Sequence, residues 1–234
     1  MTSGQKNRQY TAFISYSHSD EASASWLHRA LETFSAPNGV AVPEGLPVRD
    51  RRLAPIFRDR EELSSSHDLS ESIRSAIEAS HALIVICSPA AAASRWVNEE
   101  IKLFKRLHGE ERILALIVDG EDGGPVPFFP EALLQRLGPD GEIIDDRGEP
   151  LAADIRPGKD GKRHAKLKLA AGLLDVGLDT LVQRDAARER RRLTAIAGAA
   201  VAVMLMTAGL AAFALVQRDE ARAQRVVAEQ QSET

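Results

Sequence analysis

Short apolar runs alternate with longer amphipathic stretches through the first two-thirds of the chain, and the spacing within each predicts its type. Tyr10 to Ser17 (YTAFISYS) is a strand-like run. Leu27, Ala30, Leu31 and Phe34 then recur at the i, i+3, i+4, i+7 spacing of one helix face, with Ser17 and Asp20 placed to cap its start. A turn-rich loop with Pro37, Asn38, Gly39, Pro43, Gly45 and Pro47 leads to a short strand, PIF, at 55–57. Beyond the polar stretch RDREELSSSHD, Asp68 and Glu71 form a capping pair for a helix whose apolar stripe is Leu69, Ile73, Ala76 and Ile77. HALIVIC (81–87) and ILALIV (113–118) are continuous apolar runs, the pattern of strands covered on both faces. SRWVNEEIKLF, from Ser94, opens the helix between them. Residues 120–163 are loop-heavy, around a short helix near 130–137 and a strand near 151–155. A last amphipathic helix, about 163–176, presents Leu167, Ala170, Ala171 and Leu174 and is interrupted at Gly177.

Strand and helix alternating in this way predict an α/β fold, a parallel sheet with helices on both faces. Ligands of such sheets bind beyond the carboxyl ends of the strands. Those ends carry Ser15-Tyr16-Ser17, Arg58-Asp59, Ser88-Pro89 and Asp119-Gly120.

The pattern changes after residue 178. A basic stretch, 179–192, with Arg184, Arg188, Arg190, Arg191 and Arg192, precedes 24 residues from Leu193 to Val216 that contain no charge, proline, Asn or Gln. As a helix they would extend roughly 36 Å, enough to cross a hydrocarbon core of roughly 30 Å with some tilt. The arginine excess before the span predicts a single pass in the cell membrane, residues 1–192 cytoplasmic and the charged tail 217–234 outside. The polar start, residues 1–9, has no apolar core of a secretory signal.

Composition narrows the function. The 234 residues carry 30 basic and 34 acidic side chains, a net charge of −4, so no polycationic surface for nucleic acid is indicated. The single cysteine, Cys87, lies within an apolar run, which suits a buried core residue in a reducing compartment. Neither GxxxxGK[ST] nor GxGxxG is present, and the six histidines lack metal-ligand spacing, so neither a metal nor a cofactor is expected.

The two adjacent glutamates of SRWVNEEIKLF separate on a helical wheel. Trp96, Val97, Ile101, Leu103, Phe104 and Leu107 fall within an arc of about 160°, and Glu100 falls inside it. Its neighbours one turn away are Trp96, Val97, Leu103 and Phe104, so no cation on the same helix faces it. Glu99 lies on the polar side, with Arg95 and Lys102 one turn away. A carboxylate facing a core is costly unless it receives hydrogen bonds or lines a cleft. The alternative is a glutamate at the margin of the stripe that reaches water or a distant arginine.

FISYS, FRDREELSSSHDLSESIRSAI, ALIVICSP and SRWVNEEI, in this order and spacing, resemble a Toll/interleukin receptor (TIR) domain of the bacterial type. The resemblance covers about 10–178, is strongest to about residue 120, and implies a flavodoxin-like five-stranded parallel sheet. Many TIR domains cleave NAD+ at the nicotinamide glycosidic bond with a glutamate four residues after a tryptophan. That arrangement implies Glu100 as the catalytic carboxylate, with Trp96, Ser15, Tyr16, Ser17 and Arg58 as substrate contacts. Trp96 is equally natural as a core residue. Ser17 and His18 depart from relatives that carry basic residues just after the tyrosine. Arg58, Asp59, Glu61, Glu62 and Leu63, in the loop after the second strand, correspond to a surface by which TIR domains associate. The implied protein is a membrane-anchored effector in signalling or defence. It acts on NAD+ as substrate, as a glycohydrolase or a cyclase, when clustered with other TIR domains, with a separate sensor as a further partner. A TIR scaffold acting by association alone is the other expectation.

Overall fold

The computed structural model describes residues 8–58, 71–138, 143–144, 150 and 152–183, and, after 183, the helical residues 194, 196–198, 200–207, 209–210 and 218. The chain divides into two units, Met1–Val182 and Gln183–Thr234.

In the first unit a five-stranded parallel sheet is built from β1 (Tyr10–Ser15), β2 (Ile56–Arg58), β3 (Ser80–Cys87), β4 (Ile113–Ile117) and, last in the order of the sheet, the strand Ala152–Asp154. The chain first passes through a two-stranded antiparallel ribbon, β5 (Arg136–Leu137) and β6 (Ile143–Ile144), so that last strand is β7. The strand order β2-β1-β3-β4-β7 places the change of direction between β1 and β3. In this architecture ligands bind beside that switch point, beyond the carboxyl ends of the strands.

Side-chain alternation along the strands divides the core into two layers. On one side Ala12, Ile14, Ala82, Ile84 and Ile86 pack under α1 (Glu21–Glu32) and α6 (Gly161–Leu174). On the other, Phe13, Leu83, Val85 and Cys87 meet α2 (Glu71–Glu78), α4 (Arg95–His108) and α5 (Glu131–Leu134). The eight residues of β3 are all buried, as expected of a central strand covered on both faces. Each large side chain such as Phe13 or Phe104, fully buried, contributes on the order of 1.5–3 kcal/mol from area alone.

Local signals set the helix ends. The Ser88 hydroxyl accepts the Ala91 amide at 3.0 Å and starts α3 (Pro89–Ala93), and the Ser94 hydroxyl accepts the Val97 amide at 3.3 Å to start α4. The last helix ends earlier than Gly177. Asp175 takes a left-handed conformation, φ 51°, and the Val176 amide returns to the Ala171 carbonyl at 3.0 Å, closing α6 at Leu174. Helical backbone resumes at Leu178.

Two positions on α4 differ from the wheel. Leu107 is 41% exposed, whereas Lys105, which falls outside the apolar arc, is 2% exposed. Its ammonium donates to the carbonyls of Leu133 and Gln135 at the end of α5 and lies 3.7 Å from Glu110. Those partners come from later in the chain.

In the second unit the described residues are helical, and Val201, Val203, Met204, Leu205, Met206 and Leu210 are all exposed. Among the described residues no helix is long and apolar enough to cross a membrane. Much of the basic stretch 179–192, part of the apolar span 193–216 and nearly all of the tail lie outside the described residues.

Candidate active site

Glu100 sits in the second turn of α4 and is 7% exposed, on the helix face that carries Val97, Ile101 and Phe104 into the core. The serine at the end of β1 meets it there. Ser15 Oγ donates to Glu100 Oε2 at 2.5 Å, a contact buried from solvent. Ser15 shares the strand face of Phe13, so alternation along β1 delivers the hydroxyl to the α4 side of the sheet. A short hydrogen bond in a buried site fixes the carboxyl group's orientation. Glu99 behaves as its position on the wheel requires, with Lys102 Nζ at 3.2 Å on the helix surface.

The other expected contacts lie on α4, just after β1 and at the end of β2. Trp96, one turn before Glu100, is half-buried and lies outside both core clusters, its ring 5.8 Å from the Arg95 guanidinium. Tyr16 and Ser17 follow β1 and are partly exposed. Arg58, at the end of β2, has a side chain only 7% exposed; its Nη1 donates to Ser25 Oγ at 2.5 Å and lies 3.8 Å from Glu21, and its guanidinium stands 6.0 Å from the Tyr16 ring. Arg58 Nε is buried and has no hydrogen-bond partner among the described residues. Asp59, Glu61, Glu62 and Leu63 lie outside the described residues, as do Asp68 and Leu69.

One residue at the site has a role different from the one its sequence position suggested. Asp20 stands at the N-cap of α1 but makes no side-chain capping bond, and neither does Ser17 for the short 3-10 turn His18–Asp20. Asp20 Oδ2 instead accepts Ser88 Oγ at 2.6 Å, across the switch point from β1 to β3. Burial raises the Asp20 carboxyl above its ordinary range and the nearby Asp119 adds to this, while the Ser88 hydrogen bond opposes it. The available signal was the pairing of an aspartate after the first strand with a serine after the third. The Cys87 thiol at the end of β3 is fully buried, and burial pushes its pKa up, away from a reactive thiolate.

A separate concavity of about 580 Å³ lies past β4 and β7, lined in part by Phe128, Asp122, Asp154, Arg156 and Lys159. Its cations are matched by the chain's own carboxylates. Arg156 Nη2 donates to Asp154 at 2.6 Å and to Asp122 at 2.7 Å, and Lys159 holds the other Asp122 oxygen at 2.7 Å. These contacts brace the loop after β4 against the one after β7.

The sheet thus has five parallel strands in the order β2-β1-β3-β4-β7, with a buried glutamate one turn after a tryptophan and bound to the first strand's terminal serine. A family model described as TIR domain matches residues 12–139, more than half of the chain. The chain belongs to the TIR-domain family. Within it, the chain is similar to the NAD(+) hydrolase ApTIR of Actinoplanes sp. (strain ATCC 31044 / CBS 674.73 / SE50/110), at 32% identity over 239 aligned residues. That alignment covers 95% of this chain and 32% of the relative, so the chain spans about a third of that protein's length. The TIR domains in the structure of the activated Roq1 resistosome directly recognising the pathogen effector XopQ align with 48% of this chain and 60% of theirs. Their identity is 22% and the TM-score 0.36, too loose a likeness to bear on function.

Proposed function

We propose that this TIR domain cleaves the nicotinamide glycosidic bond of NAD+, with Glu100 as the catalytic carboxylate. The observation that carries this is the buried Glu100, held by Ser15 at the mouth of the sheet in a chain similar to an NAD(+) hydrolase. Nicotinamide leaves as a neutral molecule from a cationic pyridinium, so its departure needs no general acid. The positive charge that develops on the ribose as the C1′–N bond breaks is stabilised by a fixed anion in a water-poor position. Water then attacks C1′, giving ADP-ribose and a proton. Ser15 is a positioning residue for Glu100. Trp96 provides a flat wall one turn away, and Arg58 places a cation beside Tyr16 for the pyrophosphate.

The domain acts in signalling or defence when clustered, and the 193–216 span anchors it in the cell membrane with the sheet on the cytoplasmic side. An alignment over 95% of the chain cannot stop short of that span, which supports its belonging to the shared architecture. Other TIR domains, including further copies of this chain, are the partners, through Arg58 and the loop that follows, with a separate sensor supplying the signal. The full chain, reconstituted at rising surface density on vesicles, is expected to release nicotinamide from NAD+ at a rate that climbs more steeply than density. No release at any density would leave the scaffold alternative, association without turnover.

A further inference from the structure

Asp20 forgoes its cap position and is instead held by Ser88, whose hydroxyl is 1% exposed and also accepts the Ala91 amide at 3.0 Å. Ser88 therefore fixes one oxygen of Asp20, at 2.6 Å, from a rigid strand end. The other oxygen, Oδ1, accepts no hydrogen bond among the described residues, and the side chain is partly exposed. Among the described residues the result is an oriented acceptor whose Oδ1 is left for a ligand's donors, in the crevice region where this architecture binds ligands.

Its position relative to Glu100 follows from strand register. Ser15 pairs with Val85, so Ser88 lies three residues further along the adjacent strand. At about 3.3 Å per residue and about 4.8 Å between strands, the two serine anchors are roughly 11 Å apart. They also face opposite layers. Ser15 points to the α4 side with Phe13, and Ser88 to the α1 side with Ile84 and Ile86. Two carboxylates so placed do not act on one sugar. They suit the two sugars of a dinucleotide, joined through its pyrophosphate.

Resting on the assignment of Glu100 to the nicotinamide ribose, we propose that Asp20 binds the 2′,3′-diol of the adenosine ribose and so selects NAD+ over its 2′-phosphorylated form. A vicinal diol supplies two O–H donors to a carboxylate, the usual way an acidic residue reads an unmodified ribose. A 2′-phosphate would bring a charge of roughly −1.5 to −2 against Asp20, with no donor to offer it. Asp119, close enough to raise the Asp20 pKa, adds to the negative field. Ser88 acts through Asp20 as its positioning residue.

The test compares the full-length chain with Asp20→Asn, which keeps an acceptor for Ser88 Oγ but removes the charge, and with Glu100→Gln. Tryptophan fluorescence confirms that each variant is folded. Binding of ADP-ribose and of ADP-ribose 2′-phosphate is measured by calorimetry, and turnover of NAD+ and NADP+ by nicotinamide release. The wild type is expected to prefer the unphosphorylated member of each pair by at least about tenfold, from charge repulsion in the crevice. Asp20→Asn is expected to weaken ADP-ribose binding and raise the KM for NAD+ while narrowing both preferences to below about threefold. A variant that weakens both members equally, or neither, overturns the proposal and leaves Asp20–Ser88 as a structural clasp. If the wild type turns over neither dinucleotide, the assignment of Glu100 fails. Asp20 is then decided by binding alone: a preference that Asp20→Asn abolishes supports it, and equal binding overturns it.

Discussion

Removing the Ser15 hydroxyl tests whether Glu100 depends on it. The bond is 2.5 Å long, and the carboxylate it serves is 7% exposed, so water has little room to replace the lost donor. A hydrogen bond to a charged group contributes about 1.5–3 kcal/mol net, more than a neutral pair, because an abandoned buried acceptor keeps its desolvation cost. Ser15→Ala alone is therefore expected to destabilise by about 2 kcal/mol. In a cycle with Glu100→Gln, the coupling between the two sites is expected at about 1.5–3 kcal/mol, since either change already removes the charge-assisted bond. Urea unfolding of the full chain followed by tryptophan emission is a suitable assay. Both tryptophans, Trp26 and Trp96, lie in the Met1–Val182 unit, so the signal reports on the sheet alone. With a urea slope of about 2 kcal/mol/M, the single change moves the midpoint by about 1 M. Coupling below about 0.5 kcal/mol would refute the idea that Ser15 holds an ionised Glu100.

At the amino-terminal end of the central strand β3, His81 is buried and accepts from Arg8 Nη1 at 2.5 Å; burial first, then the charges of Arg112, Arg8 and His108, lower its pKa from 6.5 to about 4. The folded state keeps it neutral while the unfolded chain takes a proton, so stability is expected to fall from pH 6.5 to about 4. The loss, about 1–3 kcal/mol after screening, should flatten in His81→Gln, which acid titration of unfolding midpoints would measure. Gly120 has φ 112° and a Cβ there would stand 2.7 Å from Phe128 Cβ, whereas at Gly123, φ 71°, it would meet nothing within 4 Å. Gly120→Ala is accordingly expected to cost about 2–4 kcal/mol and Gly123→Ala about 1–2, by the same unfolding assay. For the 193–216 span, the full chain should float with vesicles and resist carbonate extraction, and a reporter fused after Thr234 should be extracytoplasmic; a cytoplasmic reporter would contradict the single crossing.

Much of the sheet was legible because its signals are local. The buried runs of β1, β3 and β4 and the helical periodicities of α1, α4 and α6 need no knowledge of distant partners. Glu100 was legible for the same reason, since its four nearest helical neighbours are apolar or aromatic. What the pattern left unread depends on contacts made far along the chain. Lys105 counts as surface until the carbonyls of α5, 28 and 30 residues later, receive its ammonium. Asp20 looks like a helix cap until Ser88, 68 residues later, draws it aside. The β5–β6 ribbon has two residues per strand, too few for any periodicity to register. Ser15 was placed among the substrate contacts. That its hydroxyl donates to Glu100 is something a strand-end position alone does not reveal.

The central claim is that Glu100, and not its neighbour, carries the chemistry. The most direct measurement is nicotinamide release from NAD+ by the clustered full-length chain and by Glu100→Ala and Glu99→Ala, at equal surface density. Losing a charge that stabilises the transition state should reduce the rate by at least about a hundredfold in Glu100→Ala. Glu99→Ala, which loses only a surface pair with Lys102, should stay within about twofold of wild type. Equal loss in both variants, or a Glu100→Ala protein as active as wild type, would contradict the account.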